Sequence, residues 1–380
     1  MNSEEKNNPK KTPLYDCHES LGAKITDFAG WLMPLQYTGA LDEHNNVRTK
    51  AGLFDTSHMG ELLITGDGAL DAVQALITND LNKIDDGRCQ YNIVCNEEGN
   101  ALDDVIVYRY STDKIFICVN AGNKDKIYKW FSSKIGDKVK VEDLSDSYAM
   151  LALQGPKSPD IMKELAGEEV SSMKPFRFKD AEVLGAKCII ATTGYTGEKG
   201  FEIFVSLKGS EEKGGGDKVA VDIWNELLLK GAPYGLQPTG LVARDTLRLE
   251  MGYPLYGNEL NESTSPIEAG LKKYVSLTKE DFIGKKNLEK QAVNGTKKLL
   301  RGFVMDSRQI GRSHYKVFDG DNEIGEVTSG TFSPSLKKSI GLAFLNISNN
   351  QLATGEKSIT IEVRGKKAGA KTCDPPFYKK

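Results

Sequence analysis

Four stretches carry side chains whose types and spacing could do chemistry. In GNALDDVIVYRY, residues 99–110, two adjacent acids lead into a β-branched run. Neighbours on a strand face opposite sides, so Asp103 shares a face with Val105 and Val107 while Asp104 shares the other with Ile106 and Tyr108. On this reading the two are not a carboxylate pair. If both faces are covered, at least one acid is held against apolar surface, which is costly unless the group is hydrogen-bonded or used. A turn acid capping a loop backbone is the alternative. In CIIATTGYTGEKGFEIFV, residues 188–205, glycines stand at 194, 197 and 200. Their spacing is wrong for a dinucleotide loop, and the run leads into a strand instead of a helix. A strand, a glycine-shaped turn and a return strand remain, a turn that lets backbone approach a flat ligand, with Tyr195 offering a ring and Glu202 an acceptor pair. A tight hairpin with Glu202 in solvent reads equally well.

In PTGLVARDTLRLEMGYPLYGNEL, residues 238–260, a helix puts Arg244 and Arg248 one turn apart and lets Asp245 pair with Arg248. A guanidinium presents a fixed fork of donors suited to a carboxylate or a heteroaromatic edge, although a surface ion-pair ladder has the same pattern. In FDTSHMGEL, residues 54–62, adjacent side chains such as Ser57 and His58 do not face each other and no acid has orienting spacing, which argues against nucleophilic catalysis. Met59 packs in the core or against a ligand.

These residues need elements to hold them. Short β-branched and apolar runs bounded by Gly, Asn and Asp predict strands at 61–64, 101–110, 114–119, 149–154, 186–192 and 200–205. Helical spacing of apolar residues predicts helices over 68–78, 123–132, 218–230 and 238–251. With no Gly-rich phosphate loop, this alternation predicts α+β units with antiparallel sheets. Beyond residue 283 strands predominate, at 298–305, 315–318, 322–328, 339–345 and 358–363, predicting a small all-β barrel or sandwich. The polar segment KGSEEKGGGDK, residues 208–218, reads as a mobile surface loop, and residues 1–11 as a short frayed tail without a targeting signal.

Composition narrows the function classes. The chain has 380 residues, more than one compact core usually holds, and 50 Lys plus Arg against 53 Asp plus Glu give a net charge of −3. Nucleic acid and membrane are therefore not expected as partners. No apolar stretch approaches the length of a spanning helix. Six scattered cysteines without a C-x-x-C fit buried free thiols in a reducing compartment, hence a cytoplasmic location. The four histidines have no metal-ligand spacing, so no metal is expected.

Taken in order with FAGWLMPLQY near residue 28, VRTKAGLFD near 47, LQGP at 153 and TSGTFSPSLKKSIGLAF at 328, these stretches closely resemble the T-protein family, the aminomethyltransferases of glycine cleavage, from about Thr12 to Tyr378. The resemblance implies a three-lobed cloverleaf: two interleaved α+β domains over residues 1–283 and a C-terminal β-barrel over 284–380, around a central folate-binding hole. It implies transfer of a methylene from the aminomethylated lipoyl arm of an H-protein partner to tetrahydrofolate, a co-substrate, with release of ammonia and no metal. Carried over residue by residue, Asp103, the first acid of LDD, matches the catalytic aspartate, Glu202 the acid on the pterin edge and Arg244 the folate anchor. Tyr91, Asn120, Met59 and Tyr195 match residues lining the hole. Where the family often has arginine after a C-terminal Pro-Phe-aromatic run this chain has Lys379, which keeps the charge toward the folate tail and loses the fork. A relative that demethylates a sulfonium or methylamine compound with the same folate, and a folate-binding regulator lacking the acid, are the rival readings.

Overall fold

The computed structural model describes residues 8–208, 215–347 and 354–380. The first seven residues of the expected tail and residues 209–214 of the expected loop lie outside that range. The chain divides into two compact units, each discontinuous in sequence. One draws on Met1–Glu61, Asp143–Gly194 and Glu198–Arg244, the other on Leu62–Glu142, Tyr195–Gly197 and Asp245–Lys380.

In the first unit, six strands run in the order Phe178–Val183, Ala186–Ala191, Gly200–Ser206, Tyr148–Gln154, Ala51–Asp55 and Leu236–Pro238. All neighbours are antiparallel except the last pair. Helix Gly216–Gly231 carries Val219, Ala220, Ile223, Trp224 and Leu227 at three- and four-residue spacing, one apolar stripe. That stripe packs with Leu151, Leu153, Ile203 and Val205 of the sheet in one core.

A five-stranded sheet, all but three of whose residues belong to the second unit, has the order Arg88–Cys95, Ala101–Ser111, Lys114–Val119, Gly60–Thr65 and Lys140–Asp143. Helix Lys124–Lys134 follows the third of these and buries Ile127 and Phe131 with Val105, Val107 and Ile117. Toward the C-terminus, Lys298–Met305, Lys338–Asn346, Asn322–Ser333, Lys316–Asp319, Ser358–Val363 and Lys366–Cys373 close into a six-stranded barrel. The expected α+β class and terminal barrel are both present.

Two differences from the sequence reading have physical causes. Apolar spacing predicts a helix over 68–78, but the helix spans only Ala69–Gln74. The Lys279 ammonium donates to the carbonyl oxygens of Gln74 at 2.6 Å, Asn79 at 3.0 Å and Ile77, satisfying groups that another helical turn would otherwise take. Strand Arg88–Cys95 was not expected because polar residues interrupt its apolar ones. Antiparallel pairing with Ala101–Ser111 along its length supplies what the pattern lacks.

Candidate functional site

Cross-strand register assembles the acidic part of the site within the second unit. Asp104 lies opposite Ile93 on strand Arg88–Cys95, so Tyr91, two residues along, shares its face. On the other side Ile106 pairs with Cys118, and two more steps in that antiparallel register bring Asp104 opposite Asn120, just past the end of Lys114–Val119. The contacts follow. The Tyr91 hydroxyl donates to Asp104 Oδ2 at 3.1 Å, and Asn120 Nδ2 donates to Asp104 Oδ1 at 2.9 Å.

Asp103 points the other way, as alternation requires, and is 0 % exposed. Three donors hold it: Asn120 Nδ2 on Oδ1 at 2.8 Å, Asn123 Nδ2 on the same oxygen at 2.6 Å, and the Asn120 backbone N–H on Oδ2 at 3.0 Å. For the two acids the alternation read from the sequence holds, with an addition it could not supply. They face opposite sides of the strand, yet one carboxamide nitrogen serves both, because Asn120 sits at the strand end where its side chain can reach around the edge.

Burial pushes the proton affinity of both carboxyls above the ordinary aspartate range, with the Asp104 charge adding to the effect on Asp103 and the bonds from Asn120, Asn123 and Tyr91 opposing it. Burial first, then the Asp104 charge, keeps the Tyr91 phenol protonated. Both carboxyls have donors on each oxygen, but Asp103 is fully enclosed whereas Asp104 is only partly buried. Asn123 and Asp104 are the residues that sequence reasoning passed over as functional. The signal for Asn123 lay in its three-residue spacing from Asn120 at the start of a helix.

In the first unit, Ala191 pairs with Glu202 in the expected hairpin. Glu202 is 8 % exposed and accepts from the Thr193 hydroxyl at 2.5 Å, so it is not the solvated acid of the alternative reading. Burial raises its pKa, while the Thr193 bond and the Arg244 charge act in the opposite direction. Arg244 is half-buried on helix Leu241–Glu250 and also acts on His58, which burial first and then this positive charge push down to about 4. The neutral His58 ring stands edge-on to Phe28, its centroid 5.5 Å away, with Nδ1 buried and unpartnered. Ser57 exchanges hydrogen bonds with the backbone of Met150, at 3.0 and 3.3 Å, and not with His58. Met59 is partly buried beside them.

The glycines of the hairpin turn serve a different purpose from the one expected. A Cβ at Gly194 or at Gly200 would meet the Gln154 carboxamide at 2.0 and 2.2 Å, so this side chain, not a ligand, occupies the space they leave. In the second unit, Gly197 has φ +76°, and its missing Cβ would stand 2.5 Å from the Met251 sulfur. Tyr195 stacks on Tyr253 with centroids 5.9 Å apart and donates its hydroxyl proton to the Pro254 carbonyl. Arg248 is buried for scaffolding. It donates to Glu259 at 3.0 Å, to Asp245 at 2.8 Å as expected, and to the Ser329 hydroxyl of the barrel at 2.8 Å. Lys379 is exposed, directly after Phe377 and Tyr378, whose N–H groups donate to the Glu250 carbonyl at 2.9 and 3.0 Å. Among the described residues no cluster of three metal-ligating side chains occurs, and no helix is long and apolar enough to cross a membrane.

Comparison with known proteins covers nearly the whole chain. The family model described as the GCVT N-terminal domain matches residues 14–279, and the glycine cleavage T-protein C-terminal barrel domain matches residues 298–379. An aminomethyltransferase of Caldanaerobacter subterraneus subsp. tengcongensis is 45% identical over 375 residues, 98% of this chain and 97% of that protein. One from Bacillus pumilus is 46% identical over 374 residues, 98% and 99% of the two chains. The crystal structure of the glycine cleavage system aminomethyltransferase T from Bartonella henselae superposes with a TM-score of 0.87 at 31% identity, over 97% of this chain and 98% of that one.

Proposed function

Because the chain belongs to the glycine cleavage T-protein family and is an aminomethyltransferase of that system, we propose that its substrates are the S-aminomethyl-dihydrolipoyl group on an H-protein and tetrahydrofolate. The products are 5,10-methylenetetrahydrofolate, ammonia and the dihydrolipoyl carrier. In balance, the methylene loses its bonds to sulfur and to the ammonium nitrogen and gains bonds to two folate nitrogens. The two protons those nitrogens give up end on the thiol and on ammonia.

What carries this reading is Asp104. Transfer through a carbon that becomes electrophilic as ammonia leaves calls for a fixed negative group facing the reactants, and little else beyond positioning. We therefore assign the acid that meets the reactants to Asp104 and not, as the family match suggests, to Asp103. Asp103 is fully enclosed, while Asp104, which takes one donor on each oxygen from Tyr91 and Asn120, is only partly buried.

The donor set fits a pterin. Glu202, buried and accepting from the Thr193 hydroxyl on Oε2, is suited to accept N–H groups from a heterocycle edge, and Arg244 to bind a carboxylate or carbonyl. Tyr91, Asn120, Met59 and Tyr195 are the proposed lining, and Lys379, at the exposed chain end, the proposed charge toward the folate tail. Six free cysteines, four of them buried, support a reducing, cytoplasmic setting.

The test is a paired assay of ammonia release and methylenetetrahydrofolate formation with aminomethylated H-protein, set beside sulfonium and methylamine donors. Turnover with the carrier alone is expected. Turnover with the small donors alone contradicts the proposal.

A further inference from the structure

We propose that Asp103 is the positioning residue of this site, gripping Asn120 at two points from beneath the strand so that the Asn120 carboxamide keeps an N–H on Asp104. The inference rests on the reading that Asp104 meets the reactants.

Asn120 Nδ2 carries two hydrogens and has three acceptors within reach: Asp103 Oδ1 at 2.8 Å, Asp104 Oδ1 at 2.9 Å and the Asp104 carbonyl at 3.1 Å. An amide on a strand-end residue with that choice could swing to serve the two Asp104 oxygens alone. Asp103 prevents this by binding the same residue twice, since its Oδ2 takes the Asn120 backbone N–H at 3.0 Å. Backbone and side chain of Asn120 are thus fixed relative to one carboxyl group.

Asp103 is itself fixed by Asn123, whose Nδ2 donates at 2.6 Å from the residue preceding helix Lys124–Lys134. The carboxyl group is fully buried, so its aim is set by these three bonds and by the apolar residues sharing its face, Val105 and Val107. A fully enclosed acid with every bond spent inside the protein is expensive unless those bonds hold something in place.

The pair should also titrate as a unit. The ionisable groups facing it are Tyr91 on Asp104, the Glu259 charge acting on Asp104, Tyr256 acting with Asp103, and Tyr195 and Tyr274 acting on Tyr91. Tyr256 in turn accepts from Lys126 at 2.9 Å, which also pairs with Glu262. The Asp104 charge raises the proton affinity of Asp103, so Asp104 ionises first, and its titration is set by burial, by the Tyr91 and Asn120 bonds and by the Glu259 charge. The acid limb of the rate profile should therefore stay in place when Asp103 is replaced while kcat falls, a combination that loosening of the whole site would not produce.

The experiment uses the full-length enzyme, with tetrahydrofolate and aminomethylated H-protein as probes, and the variants Asp103→Asn, Asn123→Ala and Asp104→Asn. For Asp103→Asn we expect kcat to fall roughly 100-fold, the loss a displacement near 1 Å can cause, with tetrahydrofolate affinity within about threefold and the acid limb in place. For Asn123→Ala, which leaves both carboxyls in place, we expect a loss of about tenfold in kcat with KM for tetrahydrofolate unchanged. Should Asp103→Asn fail to fold, Asn123→Ala decides alone. Unchanged kcat in Asn123→Ala, or a loss in Asp103→Asn shared equally between kcat and tetrahydrofolate affinity, overturns the inference. Near-normal turnover in Asp104→Asn would instead overturn the assignment on which it rests, so the two failures are distinguishable.

Discussion

Asn120 and Asp103 are joined twice, by the backbone N–H on one carboxyl oxygen at 3.0 Å and by the side-chain nitrogen on the other at 2.8 Å. This pair of hydrogen bonds between a strand-end residue and an acid on the neighbouring strand fixes the nitrogen that also serves Asp104. It turns two consecutive acids of one strand, which alternation sends to opposite faces, into parts of one arrangement.

The first prediction concerns pH. Burial raises the proton affinity of Asp104, and the reaction as proposed uses its ionised form, so activity should be lost as pH falls through a value above the ordinary aspartate pKa of about 3.9. A profile of kcat/KM for tetrahydrofolate from pH 5 upward should show a limb rising toward neutrality. A flat profile down to pH 5 would show that the acid keeps its solution behaviour.

A second prediction follows for stability. A carboxyl whose folded pKa is raised above its unfolded value favours the fold below the unfolded value and loses that contribution as pH rises through the folded one. Replacing Asp104 by Asn removes the loss. The variant should therefore unfold a few degrees above the parent at pH 7.5, and the gap should close on approach to pH 4. A gap that stays constant with pH would deny the raised affinity.

Much of this was legible in the sequence, for local reasons. The hairpin carrying Glu202 could be read because glycines punctuate two β-branched runs, and the Asp245–Arg248 pair because three residues on a helix bring side chains together. The partnership of Asp104 with Asn120 could not. They are sixteen positions apart, and only the register of two strands sets them opposite. Nor could the use of Gly194 and Gly200 be read. The same glycine spacing serves a flat ligand or, as found, the carboxamide of Gln154 arriving from the next strand. The family match supplied the acidic motif, and side-chain burial separated its two members.

For the proposed folate-binding residues of the first unit, Glu202→Ala and Arg244→Ala should each weaken tetrahydrofolate binding by about 1–3 kcal/mol, roughly fivefold or more, because each leaves polar groups unpaired. Isothermal titration measures this directly. The fold should survive, since neither change opens the apolar core around Trp224. Unchanged affinity in both variants would remove them from the site.

Carrier recognition should respond to salt. The family's H-proteins are expected to be acidic, and docking through lysine and arginine should weaken as the Debye length falls from about 10 Å at 0.1 M to about 3 Å at 1 M. The apparent KM for aminomethylated H-protein should rise over that range, while tetrahydrofolate affinity changes less. Equal responses, or a carrier KM indifferent to salt, would point to an apolar contact.

The most direct test of the whole account is turnover by Asp104→Asn at saturating aminomethylated H-protein, with tetrahydrofolate affinity measured on the same preparation. Asparagine keeps the shape and cannot balance developing positive charge, so methylenetetrahydrofolate formation should fall by roughly 100-fold or more while affinity stays within about tenfold. Near-parental turnover with intact binding would contradict the account, because the acid assigned to the reacting centre would then have no part in the transfer.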